Sequence, residues 1–138
     1  MRRKGSNAEG EKKSPPPQYE TLDAFVEELI AVIYERPTRG SQSYTWCSQW
    51  WMHDEAVFRF SALHSAWEYM RVHEGPTAMA AWLVNYADPI MRVVLDKNHG
   101  PFKGCKVEDG GRHDLKRPHT DGRLPCDPAP TGLFDERT

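Results

Sequence analysis

No stretch of this sequence approaches the roughly 20 consecutive apolar residues that cross a bilayer, so no membrane span or membrane partner is expected. Apolar residues are scarce altogether. They make up 38% of the 138 positions, and mean hydropathy is −0.74. An ordinary globular domain carries roughly 45–50%, on a count that adds Gly and omits Tyr. A large enzyme with a deep cleft between lobes does not fit this size and composition. Cysteine is also sparse: three residues, an odd number, so a disulfide framework would leave one thiol over. Arg2, Arg3 and Lys4 are not followed by an apolar segment, so no secretory signal is read. The expectation is a cytoplasmic setting in which thiols are reduced or metal-bound.

A large charge of one sign is missing too, but the net −2 conceals a division. Residues 1–19 hold five Lys or Arg against two Glu. Residues 20–95 hold five Arg against ten acidic groups, and residues 96–138 balance at eight each. The middle of the chain therefore repels phosphate, and any nucleic-acid contact would have to come from the ends.

What apolar material exists lies mostly between Leu22 and Leu95. Residues 1–18 are polar and end in Pro15-Pro16-Pro17, which reads as a disordered basic arm. Thr21 is a natural N-cap for a helix carrying Leu22, Phe25, Val26, Leu29, Ile30 and Ile33, stopped by Pro37 and Gly40. Asp54 is expected to cap a second helix, in which Ala56, Phe60, Leu63, Trp67 and Met70 recur at 4-3-4-3 spacing before Gly75-Pro76. A third helix opens at Thr77. Asp88-Pro89 reads as the start of a short fourth, with Ile90, Met91, Val93, Val94 and Leu95. Past Phe102 no period survives, and Leu133-Phe134 is the natural anchor of an extended Pro/Gly-rich arm. The fold class expected is mostly α: three main helices and a short fourth in residues 19–105, flanked by arms 1–18 and 106–138. The expected core is Phe25, Leu29, Ile33, Trp50, Phe60, Leu63, Trp67, Trp82, Ile90 and Val94.

Two groupings could carry chemistry. Trp46-Cys47-Ser48-Gln49-Trp50-Trp51 holds three of the five tryptophans in six positions. Such rings either seal a small core or anchor a partner, so Trp46, Trp50, Trp51, Leu133 and Phe134 are candidate partner-binding residues. The other grouping is Cys105, His113, His119 and Cys126, spaced Cys-x7-His-x5-His-x6-Cys, with Cys47 and His53 as further ligands. Zinc would supply the ordering energy that this arm lacks, although no tight Cys-x2-4-Cys pair is present. Against enzyme chemistry, Cys47 sits among tryptophans, where a thiol is usually inert. The adjacent carboxylates Asp54-Glu55 and Glu27-Glu28 point to different faces. His64 and Glu68, four apart, share one helix face and read as a satisfied pair.

Trp46-Cys47-x-x-Trp50-Trp51-x-His53-x-Glu55-Ala56, Leu63-x3-Trp67-Glu68, Trp82-x5-Asp88-Pro89 and Gly100-Pro101-Phe102-x-x-Cys105 recur in this order in a family that the chain resembles. That family comprises short uncharacterised proteins of actinobacteria, their phages and their integrative elements, filed as a domain of unknown function. The resemblance covers about residues 19–105, and the Gly132-Leu133-Phe134 ending is similar as well. Leu83 stands where many relatives have a second Trp beside Trp82. The resemblance implies a phage or mobile-element origin and a cytoplasmic setting, and it names no reaction. The function expected is a non-enzymatic accessory module that binds another protein, encoded by the host or the element. The alternative is a zinc-stabilised, nucleic-acid-associated module using the C-terminal Cys/His arm.

Overall fold

A computed structural model describes residues 15–38, 41–105 and 123–135. Thr21 caps the first helix as its sequence implies: the backbone is extended there and Oγ1 accepts the Ala24 N–H at 3.3 Å. Helix α1 (residues 22–33) then runs through Leu22–Phe25, a π-helical stretch Val26–Ile30, and Ala31–Ile33. The π stretch bonds five residues back, with Ala31 N–H reaching Val26 O. One extra residue per turn rotates everything after it about the axis. Ile30, Ala31 and Tyr34 consequently enter the core, while Ile33 is 42% exposed and Leu29 only partly covered. The expectation of Ile33 as core is corrected by that rotation.

Helix α2 (Asp54–His73) is regular and longest. Its N-cap is His53 rather than the expected Asp54: His53 is extended and its carbonyl accepts the Val57 N–H at 3.0 Å. Asp54 and Glu55 fall in the first turn, where carboxylates complement the helix dipole. Ala56, Phe60, Leu63, Trp67 and Met70 are all buried, as their spacing requires.

Helix α3 (residues 78–94) replaces the expected third and fourth helices with one. Ala78–Trp82 continues through a π stretch, Leu83–Ala87, into Asp88–Val94. Asp88 N–H reaches back to Leu83 O. Pro89 cannot give the bond an α-helix would take from it. The wider turn just before it lets the rod continue, and Asp88 is no N-cap. Its carboxylate instead accepts the Tyr34 hydroxyl at 2.5 Å.

The three helices meet over aromatic rings. Trp67 and Trp82 pack edge to face at 4.9 Å, Phe25 meets Trp82 at 6.3 Å, and Trp82 Nε1–H donates to Leu63 O. Nearer the start of α2, Trp50 and Trp46 pack against Phe60 at 5.4 and 6.0 Å. Among the described residues the only pairing of β type is an isolated antiparallel bridge between Tyr44 and Asp96. None of the helices there is long and apolar enough to cross a membrane.

Both arms touch the bundle. Residues 15–18, placed in the N-terminal arm by composition, lie on α2. Glu68 accepts the N–H groups of Gln18 and Tyr19 at 3.0 and 2.9 Å and the Arg71 guanidinium at 2.8 Å. Arg71 also donates to Pro16 O, and Trp67 Nε1–H to Gln18 Oε1. At the other end Leu124 is fully buried and its N–H reaches Ala31 O at 3.0 Å.

Two measurements check this packing. Trp67→Ala removes a ring shared by two helices and the N-terminal segment. It should cost ~3–5 kcal/mol in a denaturant titration, and a loss under about 1 kcal/mol would place Trp67 outside the core. Glu68 supplies the second. Burial alone would raise its pKa, but bonds from Arg71 and from the Tyr19 and Gln18 N–H groups more than offset this and lower it. His64, 3.5 Å away, Arg71 and the Tyr19 phenol are charged or titratable groups that interact with it. A depressed carboxylate stabilises the fold above its unfolded pKa, about 4.3, and loses that contribution as pH falls through the folded value. The stability gap between wild type and Glu68→Gln should be full at pH 7 and close below about pH 4.3. A gap that persists unchanged at pH 2 would contradict the clasp.

Candidate metal centre

The tryptophan segment is held in place by the C-terminal strand of chain, residues 123–135. Trp46 Nε1–H donates to Pro125 O at 2.7 Å and Trp51 Nε1–H to Asp127 O at 3.1 Å. Asp127 N–H donates to Ser48 O, and its carboxylate accepts Ser48 Oγ–H and Gln49 Nε2–H. Phe134 stacks on Trp50 at 5.5 Å with planes 9° apart. The segment is therefore a fixed platform: Cys47 is fully buried, and the 3-10 turn Trp50–Met52 leads directly into His53 at the head of α2.

A third piece arrives from beyond α3. Gly100 N–H bonds Asp96 O, and the chain passes so close that a Cβ on Gly100 would lie 2.3 Å from Val93 O. Only glycine fits such an approach. The turn delivers Phe102, fully buried, edge-on to Trp46 at 5.4 Å and to His53 at 4.9 Å. Cys105 follows three residues later, its N–H on Phe102 O, and is buried.

The outcome is a cluster. One ligand atom each of Cys47, His53 and Cys105 lies within 4.8 Å of both others, and Cys105 Sγ is 3.2 Å from His53 Nε2. Burial pushes the Cys47 thiol far up, and the neighbouring Cys105 adds to this against a backbone bond from Gln49. With no ion bound, such a thiol holds its proton at neutral pH and is a poor nucleophile. No disulfide joins cysteines among the described residues.

The ligand set expected along the C-terminal arm is thus rearranged. Cys105 turns toward Cys47 and His53, which were only supplementary in the linear pattern. Cys126 lies outside this group, with Sγ 3.7 Å from Leu124 O. His113 and His119 lie outside the described residues. The linear reading favoured neighbours in sequence, whereas His53 and Cys105 are 52 positions apart.

The aromatic candidates for partner binding divide. Trp46 and Trp50 are interior, with Phe102 against Trp46 and Phe134 against Trp50. Trp51 and Phe134 are partly buried and Leu133 is exposed. The structure turns other rings outward: Phe58 is 77% and Tyr69 59% exposed. The signal for Phe58 was available, since it sits on α2 off the Ala56–Met70 core stripe. A surface groove of about 480 Å³ beside Tyr34, Arg92 and His99 has its carboxylates engaged internally. Asp88 holds Tyr34, and Asp96 accepts the N–H groups of Asn98 and His99.

The chain belongs to a family defined so far only as a domain of unknown function, DUF4913, whose model matches residues 19–130. No curated protein and no solved structure matches it.

Cys47 should react with iodoacetamide on the order of 100-fold more slowly than an unhindered thiol at pH 7.5, given its burial and raised pKa. Peptide mapping of the native protein against time checks this, and modification of Cys47 at the rate of a free thiol would contradict the packing described.

Proposed function

We propose that this chain is a small non-enzymatic accessory module, carried by a phage or mobile element and working in the cytoplasm, that binds another protein. The observation behind this is the outer face of α2. Phe58, Ala62 and Tyr69 lie along one line there, all exposed. At 1.5 Å per residue Phe58 and Tyr69 stand about 16 Å apart. Large rings left in water on a chain this short of apolar residues are costly to solubility, and such rings act as anchors at interfaces. A ridge of this kind fits a partner offering an apolar cleft, with α2 as the helix that enters the groove. The Arg59–Glu55 ion pair beside Phe58 supplies a polar rim. A nucleic-acid role fits less well, because residues 20–95 carry ten acidic groups against five Arg.

A photo-crosslinking residue placed at Phe58, with a second at the exposed Lys103 as control, tests the proposal in lysate of the natural host. The expected outcome is one protein crosslinked from position 58 and not from 103. Its binding should weaken at least tenfold in Phe58→Asp/Tyr69→Asp while the unfolding midpoint stays within a few degrees. Equal crosslinking from both positions, or none from 58, would overturn the reading. So would a DNA mobility shift that weakens with salt and survives the double substitution.

A further inference from the structure

We propose that Cys47 Sγ, Cys105 Sγ and His53 Nε2 bind one zinc ion, which staples the segment after α3 to the head of α2. This goes beyond the interaction reading and rests on different residues. Three points carry it. First, the separations suit the ion: tetrahedral zinc at Zn–S ≈ 2.3 Å and Zn–N ≈ 2.0–2.1 Å sets its donors about 3.5–3.8 Å apart. Here the trio lies within 4.8 Å, with the Cys105–His53 pair at 3.2 Å, so closing on an ion takes shifts below about 1 Å. Second, thiolate with imidazole is a donor set that favours zinc over calcium or magnesium, which take oxygen. Third, the fold converges on the trio. Two thiols and an imidazole are brought together from two stretches of chain, residues 47–53 and the turn ending at Cys105, beside the buried ring of Phe102.

On binding, both thiols lose their protons to solvent and coordinate as thiolates, and the imidazole coordinates as the neutral ring. The trio supplies three donors and leaves a fourth coordination position to a group outside it. The segment stapled, residues 96–105, buries one large apolar ring, Phe102, and is otherwise tied to the chain before the tryptophans through the Tyr44–Asp96 bridge and the Lys97 N–H on Ser43 O.

The test uses the full chain expressed with zinc in the medium and purified without chelator. Mass spectrometry should find about one zinc per chain, and Cys47→Ser, His53→Ala and Cys105→Ser should each fall below ~0.2. Cys126→Ser should keep its zinc. Stripping the wild type with a chelator should lower Tm by at least ~5 °C, and adding zinc back should restore it. Where a variant fails to fold, cobalt in the wild type decides. Cobalt should give the intense visible bands of a tetrahedral site and a thiolate charge-transfer band worth two sulfurs. Less than ~0.2 zinc per chain in the wild type after refolding with zinc would overturn the proposal. So would retention of zinc by Cys47→Ser and His53→Ala with loss from Cys126→Ser, which would put the site in the C-terminal arm. A cobalt spectrum showing one, three or no thiolates would overturn it as well.

Discussion

The contact on which the rest of this structure depends is the burial of Trp46 and Trp50 against Phe60. Those two indoles occupy the space between the head of α2 and the chain that follows α3. Everything peripheral is then hung on them. Phe102 meets the edge of Trp46, Phe134 stacks on the face of Trp50, and Pro125 takes the Trp46 N–H. A chain with so few apolar residues can still close a core this way, because each indole buries roughly 150–250 Å². The arrangement has a cost. Trp50 Nε1–H is buried without a partner among the described residues, and an unmet donor of that kind costs about 1–3 kcal/mol.

Legibility from sequence followed helical regularity. The buried face of α2 could be read residue by residue, because Ala56, Phe60, Leu63, Trp67 and Met70 keep the 3.6-residue period over the full rod. The faces of α1 and α3 were read only in part. In α3 the buried positions step from Trp82 to Ala87, a gap of five that no α-helix makes, before Met91 and Val94 resume the ordinary spacing. Read with a fixed period, that gap and Pro89 look like a break between two helices. A π stretch resolves both at once, since it adds the residue that moves the face and tolerates the missing N–H. The same step in α1 exchanges Ile33 for Tyr34 at the core, and Tyr34 is then positioned to bond Asp88 across to α3.

The site was legible in composition but not in pairing. Every member of the trio stood out in the sequence as a candidate ligand, and Cys47 and His53 lie within seven residues of each other. What the sequence could not reveal is that a turn beyond α3, made possible by the close approach at Gly100, returns Cys105 to them. Short spacing in sequence is a guide to ligand sets only where one loop supplies them all. Here the tertiary fold brings Cys105 to the Cys47–His53 stretch from 52 positions beyond His53, so it looks unrelated to them along the chain.

Aromatic residues in this protein occupy two kinds of environment, and α2 shows both on one rod. Its inner face spends Phe60 and Trp67 on the core, whereas its outer face leaves Phe58 and Tyr69 in water. Solvent exposure is not forced on the outer pair by helix geometry, since any polar residue would serve the helix as well or better there. Nor do they support the packing that Trp46 and Trp50 organise, which lies on the opposite side. An interior fastened by indoles, clasped by Glu68 at one end and strapped by residues 123–135 at the other, holds α2 in place. Rigid presentation is what a recognition ridge requires, because side chains fixed before association lose less freedom on binding. The inner and outer aromatics are thereby linked: the first fix the position of the helix in the fold, and the second are the residues through which the proposed function would have it meet a partner.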